Sequence, residues 1–179
     1  DTRSGAEDSS GAYLCEALQS AGHLLHERAL LRDDRYELRA LVSRWIADAQ
    51  VDGILITGGT GFTGRDSTPE AILPLLDKQM PGFGEMFRVL SFEEIGTSTL
   101  QSRAFAGLAN ATFLFALPGS TSACRTAWEK LIRAQLDDTY APISMERADK
   151  RDETEVNSTV LTEDSGKKLD IVLGVTPQE

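Results

Sequence analysis

Tyr13, Leu14, Ala17, Leu18 and Ala21 recur at the three- and four-residue spacing that lines one face of a helix. With Ser9 or Ser10 as cap and Gly22 as stop, the pattern predicts a helix from Gly11 to Ala21. His23 to Leu31 alternates loosely and reads as a strand. After Arg32-Asp33-Asp34-Arg35 the helical spacing returns in Leu38, Leu41, Val42, Trp45 and Ile46, so a second helix runs to Asp48, and Val51 to Thr57 is a second strand. Further on, Pro69 to Leu76 reads as a short helix. Met80 to Glu85 reads as a turn leading into a helix through Leu90, with Glu94 to Ala104 continuing helically. Phe105 to Leu108 and Thr112 to Leu117, hinged at Ala109-Asn110, read as two antiparallel strands, and Ser122 to Leu136 as a final helix.

Strands alternating with helices across short turns give an α/β fold, with a mostly parallel sheet covered on both faces and ligands expected at the carboxyl ends of the strands. The 179 residues suffice for one domain with a sizeable core. Residues 1–142 form that domain; 143–179 read as a charged linker and a β-hairpin that completes the sheet. In this tail Val156 to Thr176 gives strand, turn at Glu163-Asp164-Ser165-Gly166, and strand, with Leu169 to Thr176 its most apolar piece.

The net charge of −10 argues against a nucleic-acid surface, which needs a clustered basic face. No stretch approaches the length of a membrane span, and no signal peptide opens the sequence. Two thiols, Cys15 and Cys124, fit a reduced, cytoplasmic protein. His23 and His26 lack the further ligands a metal site needs, so both read as surface or strand histidines.

The candidate chemistry lies where the second strand ends, in Gly58-Gly59-Thr60-Gly61-Phe62-Thr63-Gly64-Arg65-Asp66-Ser67-Thr68-Pro69-Glu70. Glycines there let a ligand approach backbone N–H groups with no Cβ in the way, and Pro69 with Ser67 or Thr68 opens a helix whose N-terminus favours an anion. Neither a Walker A loop nor a dinucleotide fingerprint is present. A glycine-rich turn with no ligand would share the bare Gly-Gly-Thr-Gly; the extension through Arg-Asp and Thr-Pro-Glu-Ala is more specific. Pro118-Gly119-Ser120-Thr121 repeats the arrangement, and Ser120 can offer both an N–H and a hydroxyl.

With Asp1-Thr2-Arg3-Ser4-Gly5, the Gly58 loop, Pro81-Gly82-Phe83-Gly84-Glu85, Thr97-Ser98-Thr99-Leu100-Gln101-Ser102-Arg103 and Leu117-Pro118-Gly119-Ser120 in view, the chain resembles the MoaB/Mog family of molybdenum cofactor biosynthesis proteins, from Asp1 to about Pro142. The resemblance implies a three-layer α/β/α sandwich, assembled as trimers or hexamers, that binds molybdopterin. In active members it implies adenylylation, in which the terminal phosphate of molybdopterin attacks the α-phosphorus of Mg-ATP and pyrophosphate leaves. The family's acids fall on Asp33 and Asp66, which would hold Mg²⁺. Gly58, Gly59, Thr60, Gly61 and Ser120, with Ser102, Pro118 and Gly119, fall on phosphate or pterin contacts, and Arg65 or Arg103 would stabilise charge on the transferred group. A binding member of the same fold that does not turn over is the alternative.

Two departures stand out. The family has an apolar strand ahead of the Asp-Thr-Arg-Ser-Gly turn, and the sequence after Ile143 matches no familiar tail. The expectation is a rearranged or engineered form in which Leu169 to Thr176 supplies the missing central strand from the other end of the chain, since continuous apolarity suits a strand buried between helix layers.

Overall fold

Apolar residues at successive positions need cover on both faces, and the two most apolar runs of the first 136 residues lie side by side in the interior of a six-stranded sheet. The computed structural model describes residues 8–32, 34–136 and 170–175. Its strands are β1 (Leu24–Leu30), β2 (Gly53–Thr57), β3 (Lys78–Gln79), β4 (Phe105–Ala109), β5 (Thr112–Leu117) and β6 (Asp170–Val175). Their order across the sheet is β1-β6-β2-β5-β4-β3. The first four in that order are parallel, and β4 and β3 continue antiparallel.

The period of two along each interior strand divides the core into two layers. Leu55, Phe113, Phe115, Ile171 and Leu173 point to one side, where they meet Leu14 and Leu18 of α1 (Ser9–Ser20), Phe83 and Phe87 of α4 (Pro81–Ile95), and Ala127, Trp128 and Ile132. Ile54, Ile56, Leu114, Ala116 and Val172 point to the other, against Leu38, Val42 and Trp45 of α2 (Arg35–Ala47) and Ile72 of α3 (Thr68–Ile72). The result is the three-layer α/β/α sandwich. The leucine, isoleucine, valine and phenylalanine side chains among them each contribute about 1.5–3 kcal/mol by leaving water.

The stretch read as the missing central strand, Leu169 to Thr176, contains β6, and it lies between β1 and β2 in parallel register with both. Its proposed hairpin partner falls outside the described residues, as do Asp1-Thr2-Arg3-Ser4-Gly5 and Asp33.

Four local readings change. Asp8, rather than Ser9 or Ser10, caps α1: its carboxylate accepts from the Gly11 amide at 2.8 Å and pairs with Arg28 of β1 at 2.6 Å. Met80 to Glu85 is no turn, since α4 begins at Pro81, which needs no N–H donor at that position. Lys78 and Gln79 form a short antiparallel edge strand. Gly107 of β4 accommodates it, because a Cβ there would stand 2.5 Å from the Lys78 carbonyl oxygen. Finally, Gly96 to Gln101 is a 3₁₀ helix, begun where Gly96 takes φ 58° and ends α4. The β4–β5 hairpin turns through Asn110 and Ala111, both at positive φ (47° and 58°), the signature of a two-residue turn that matches strand twist.

The last helical stretch runs from α5 (Thr121–Ala127) through one π-helical segment, Trp128–Ile132, into α6 (Arg133–Leu136). Among the described residues no helix is long and apolar enough to cross a membrane.

Candidate functional site

Parallel pairing in one register aligns Leu30, Val175, Thr57 and Leu117 in a row, so β1, β6, β2 and β5 all end at one edge of the sheet. The antiparallel β4 starts at that edge, since Phe105 stands opposite Ala116. The Gly58 loop after β2, the Pro118-Gly119-Ser120 turn after β5 and Arg103 just ahead of β4 therefore meet there. The N-terminus of α1 reaches the same place, with Ser9 Oγ 2.9 Å from Thr121 Oγ1.

The loop begins with Gly58 and Gly59 at φ 101° and 64°, a region that side chains rarely adopt. It is pinned at its base, where the Gly58 amide donates to the Leu117 carbonyl at 2.9 Å and Thr68 returns two bonds, its amide to Gly59 O and its hydroxyl to Gly58 O, both 3.0 Å. Thr60 is buried. Among the described residues the Gly59 and Thr60 amides have no acceptor, which leaves them as donors.

Asp66 turns its carboxylate back into the loop. Its Oδ2 accepts from the Thr63 amide at 2.8 Å and the Thr63 hydroxyl at 2.7 Å. A Cβ at Gly61 would stand 2.7 Å from that same oxygen, so any larger residue there would push the Asp66 carboxylate aside. Burial alone would raise the pKa of Asp66, but bonds from Thr63 and the Gly61 amide, with the Arg103 charge nearby, hold it below the usual carboxylate range. The group is ionised at neutral pH.

Arg103 spans the loop: Nε donates to Gly61 O at 2.7 Å, one terminal nitrogen to Asp66 O at 2.8 Å, and the other pairs with Glu70. Burial pushes the pKa of Glu70 up and the Arg103 pairing outweighs it, leaving the carboxyl below its ordinary value. Arg65 is exposed on the loop. Ser102 accepts from the Ala104 amide at 3.4 Å. Across the edge, Ser120 is the N-cap of α5, its hydroxyl accepting from the Ala123 amide at 3.3 Å while the residue stays exposed. The Pro118 carbonyl accepts from the Thr57 hydroxyl at 3.1 Å, and Gly119 is half-buried beside it.

The site thus brings together every predicted position among the described residues, and Asp33 lies outside them. Sequence reading missed Glu70 as the partner of Arg103, Asp8 with Arg28 below the α1 cap, and Ser9 against Thr121. Glu70 stood within the quoted motif, and only its contact 33 residues away was hidden. Burial raises the Cys124 thiol to about 11, so it stays protonated, sharing a hydrogen bond with the Thr57 hydroxyl at 3.2 Å. His23 stacks edge-on against Trp128, and among the described residues no three His, Cys, Asp or Glu side chains cluster as metal ligands.

Residues 2–138 match the family model described as "Probable molybdopterin binding domain". The chain is 59% identical over 136 residues to molybdenum cofactor biosynthesis protein B of Escherichia coli K12, covering 76% of this chain and 80% of that protein. A crystal structure of a molybdenum cofactor biosynthesis protein B superposes with TM-score 0.73 at 42% identity, over 76% of this chain and 85% of the other. The tungsten cofactor synthesizing protein MoaB from Pyrococcus furiosus does so with TM-score 0.61 at 38% identity, over 69% and 78%.

Proposed function

The chain belongs to the MoaB/Mog family of molybdenum cofactor biosynthesis proteins, and on that premise we propose that it binds molybdopterin at the carboxyl edge of its sheet and adenylylates it with Mg-ATP. The observation that carries this reading is the convergence, on one edge, of the Gly58 loop, the ionised Asp66 and the Ser120 helix terminus. An oxygen of the molybdopterin phosphate forms a bond to the α-phosphorus of ATP while the bond from that phosphorus to the bridging oxygen breaks, and pyrophosphate carries the electron pair away. In this reading the Gly59 and Thr60 amides and the Ser120 N–H and hydroxyl bind and orient phosphate oxygens, an arrangement that lowers the barrier by positioning and charge stabilisation.

Asp66 fits Mg²⁺ in charge, and Asp33 joins it by resemblance. A site of one or two carboxylates completed by substrate phosphates is the usual habit of this ion. When bound, Mg²⁺ supplies charge neutralisation on the phosphates.

The second reading, a member that binds without turnover, is favoured by one detail: the Asp66 Oδ2 is already engaged by Thr63. Pyrophosphate measured after mixing the protein with molybdopterin and Mg-ATP separates the two. Release that depends on molybdopterin supports the enzyme; binding by titration with no release supports the second; no binding sinks both.

The Ser120 contact has its own test. Ser120→Ala should lower stability by about 1 kcal/mol through the lost cap and molybdopterin affinity by about tenfold or more. Equal affinities would leave only the cap.

The same reading includes assembly of copies as a trimer or hexamer. On α4, Met86, Val89 and Phe92 are 49%, 60% and 55% exposed on the side opposite buried Phe83 and Phe87, an apolar stripe that a neighbouring copy would cover. Val89→Lys should shift the sedimentation mass from an assembly to a single chain; an unchanged assembly would put the interface elsewhere.

A further inference from the structure

The carbonyl oxygens of Thr60, Gly61 and Asp66 all accept hydrogen bonds from one residue, Arg103, through its amide (3.0 Å), Nε (2.7 Å) and a terminal nitrogen (2.8 Å) respectively. The remaining terminal nitrogen pairs with Glu70 on α3, and the Phe62 ring lies over the guanidinium at 5.5 Å from its centroid. Every nitrogen of the guanidinium thus already has a partner within the protein. We propose that Arg103 is a positioning residue, a clamp that fixes the shape of the Gly58 loop and so holds Asp66 and the Gly59 and Thr60 amides in place at the ligand edge. It does not bind transferred phosphate itself. The inference rests on the molybdopterin reading above for what the loop holds, and on geometry alone for the clamp.

The clamp is anchored from behind. The Ser102 carbonyl accepts from Arg88 of α4 at 3.4 Å, and α4 packs so closely that a Cβ at Gly84 would stand 2.7 Å from the Ala104 carbonyl oxygen. The loop is thereby tied to the helix layer on the far side of the sheet from α3, as well as to its own strand. Only a planar fork of donors can serve separated acceptors this way. The point charge of a lysine cannot.

Hydrogen exchange and molybdopterin titration on the full chain test the clamp together. In Arg103→Lys the Thr63 and Asp66 amides, which bond within the loop, should exchange about tenfold faster or more while those of β2 and β5 keep their protection. Affinity should fall about tenfold, chiefly through faster dissociation. In Arg103→Ala, added ethylguanidinium should restore both readouts and ethylammonium neither. Unchanged loop exchange in Arg103→Lys overturns the clamp. So does lost affinity with unchanged exchange, because the guanidinium would then touch the ligand directly. If the parent protein binds no molybdopterin, the functional reading fails, and the exchange and rescue results still decide the clamp.

Discussion

A chain cut after Asp164 should show no cooperative thermal transition. The cut removes β6, which is bonded to β1 on one side and β2 on the other and contributes Ile171, Val172 and Leu173, each no more than 1% exposed. Those three side chains alone represent about 1.5–3 kcal/mol each. The facing edges of β1 and β2 would be left with unpaired amides and carbonyls, each costing about 1–3 kcal/mol where water cannot reach. A domain of this size has only about 5–15 kcal/mol in total. Leu173→Ala is the graded companion: it keeps the ladder and loses the side chain, at about 2–5 kcal/mol, so it should still melt cooperatively but roughly 10 °C lower. A truncated chain that melts cooperatively near the parent temperature would mean that β6 is dispensable to the sheet.

Asp66→Asn should abolish adenylylation, by about a hundredfold or more, while melting temperature and molybdopterin affinity barely move. The single asparagine oxygen can accept the Thr63 amide and hydroxyl bonds that Oδ2 accepts now, so the loop retains that turn even if the Gly61 amide bond weakens. What disappears is the negative charge that would meet the metal. The expected stability change is therefore below about 1 kcal/mol. Pyrophosphate release and thermal unfolding measured on the same preparation separate the cases. Parent-like release would take Asp66 out of the chemistry, and a large drop in melting temperature with release intact would make it a purely structural turn residue.

The strands that need cover on both faces were legible because burial demands unbroken apolarity: the Val51 to Thr57, Thr112 to Leu117 and Leu169 to Thr176 stretches all contain the strands read there. The Gly58 loop and the Ser120 cap were legible for a local reason, as their residue types are tied to backbone geometry. What escaped depends on distant partners. Asp8 outcompetes two serines as a cap because Arg28, twenty residues on, holds its carboxylate in place. Lys78 and Gln79 carry no strand pattern and pair only because Gly107 leaves room. The role of Arg103 lies in acceptors 37 to 42 residues away, which no spacing encodes.

The position of β6 also bears on the order in which the molecule can be assembled. Synthesis proceeds from the amino end, so α1 to α6 and β1 to β5 are all made before β6. Until it arrives, β1 and β2 border a slot about 10 Å across, two strand spacings, with bonding groups exposed on both walls. Such a slot is a template for any extended apolar segment, and the β6 of a second chain fits it as well as the chain's own. Insertion of β6 is therefore the point at which folding competes with exchange between copies, and crowding of nascent or refolding chains favours swapped pairs over single ones.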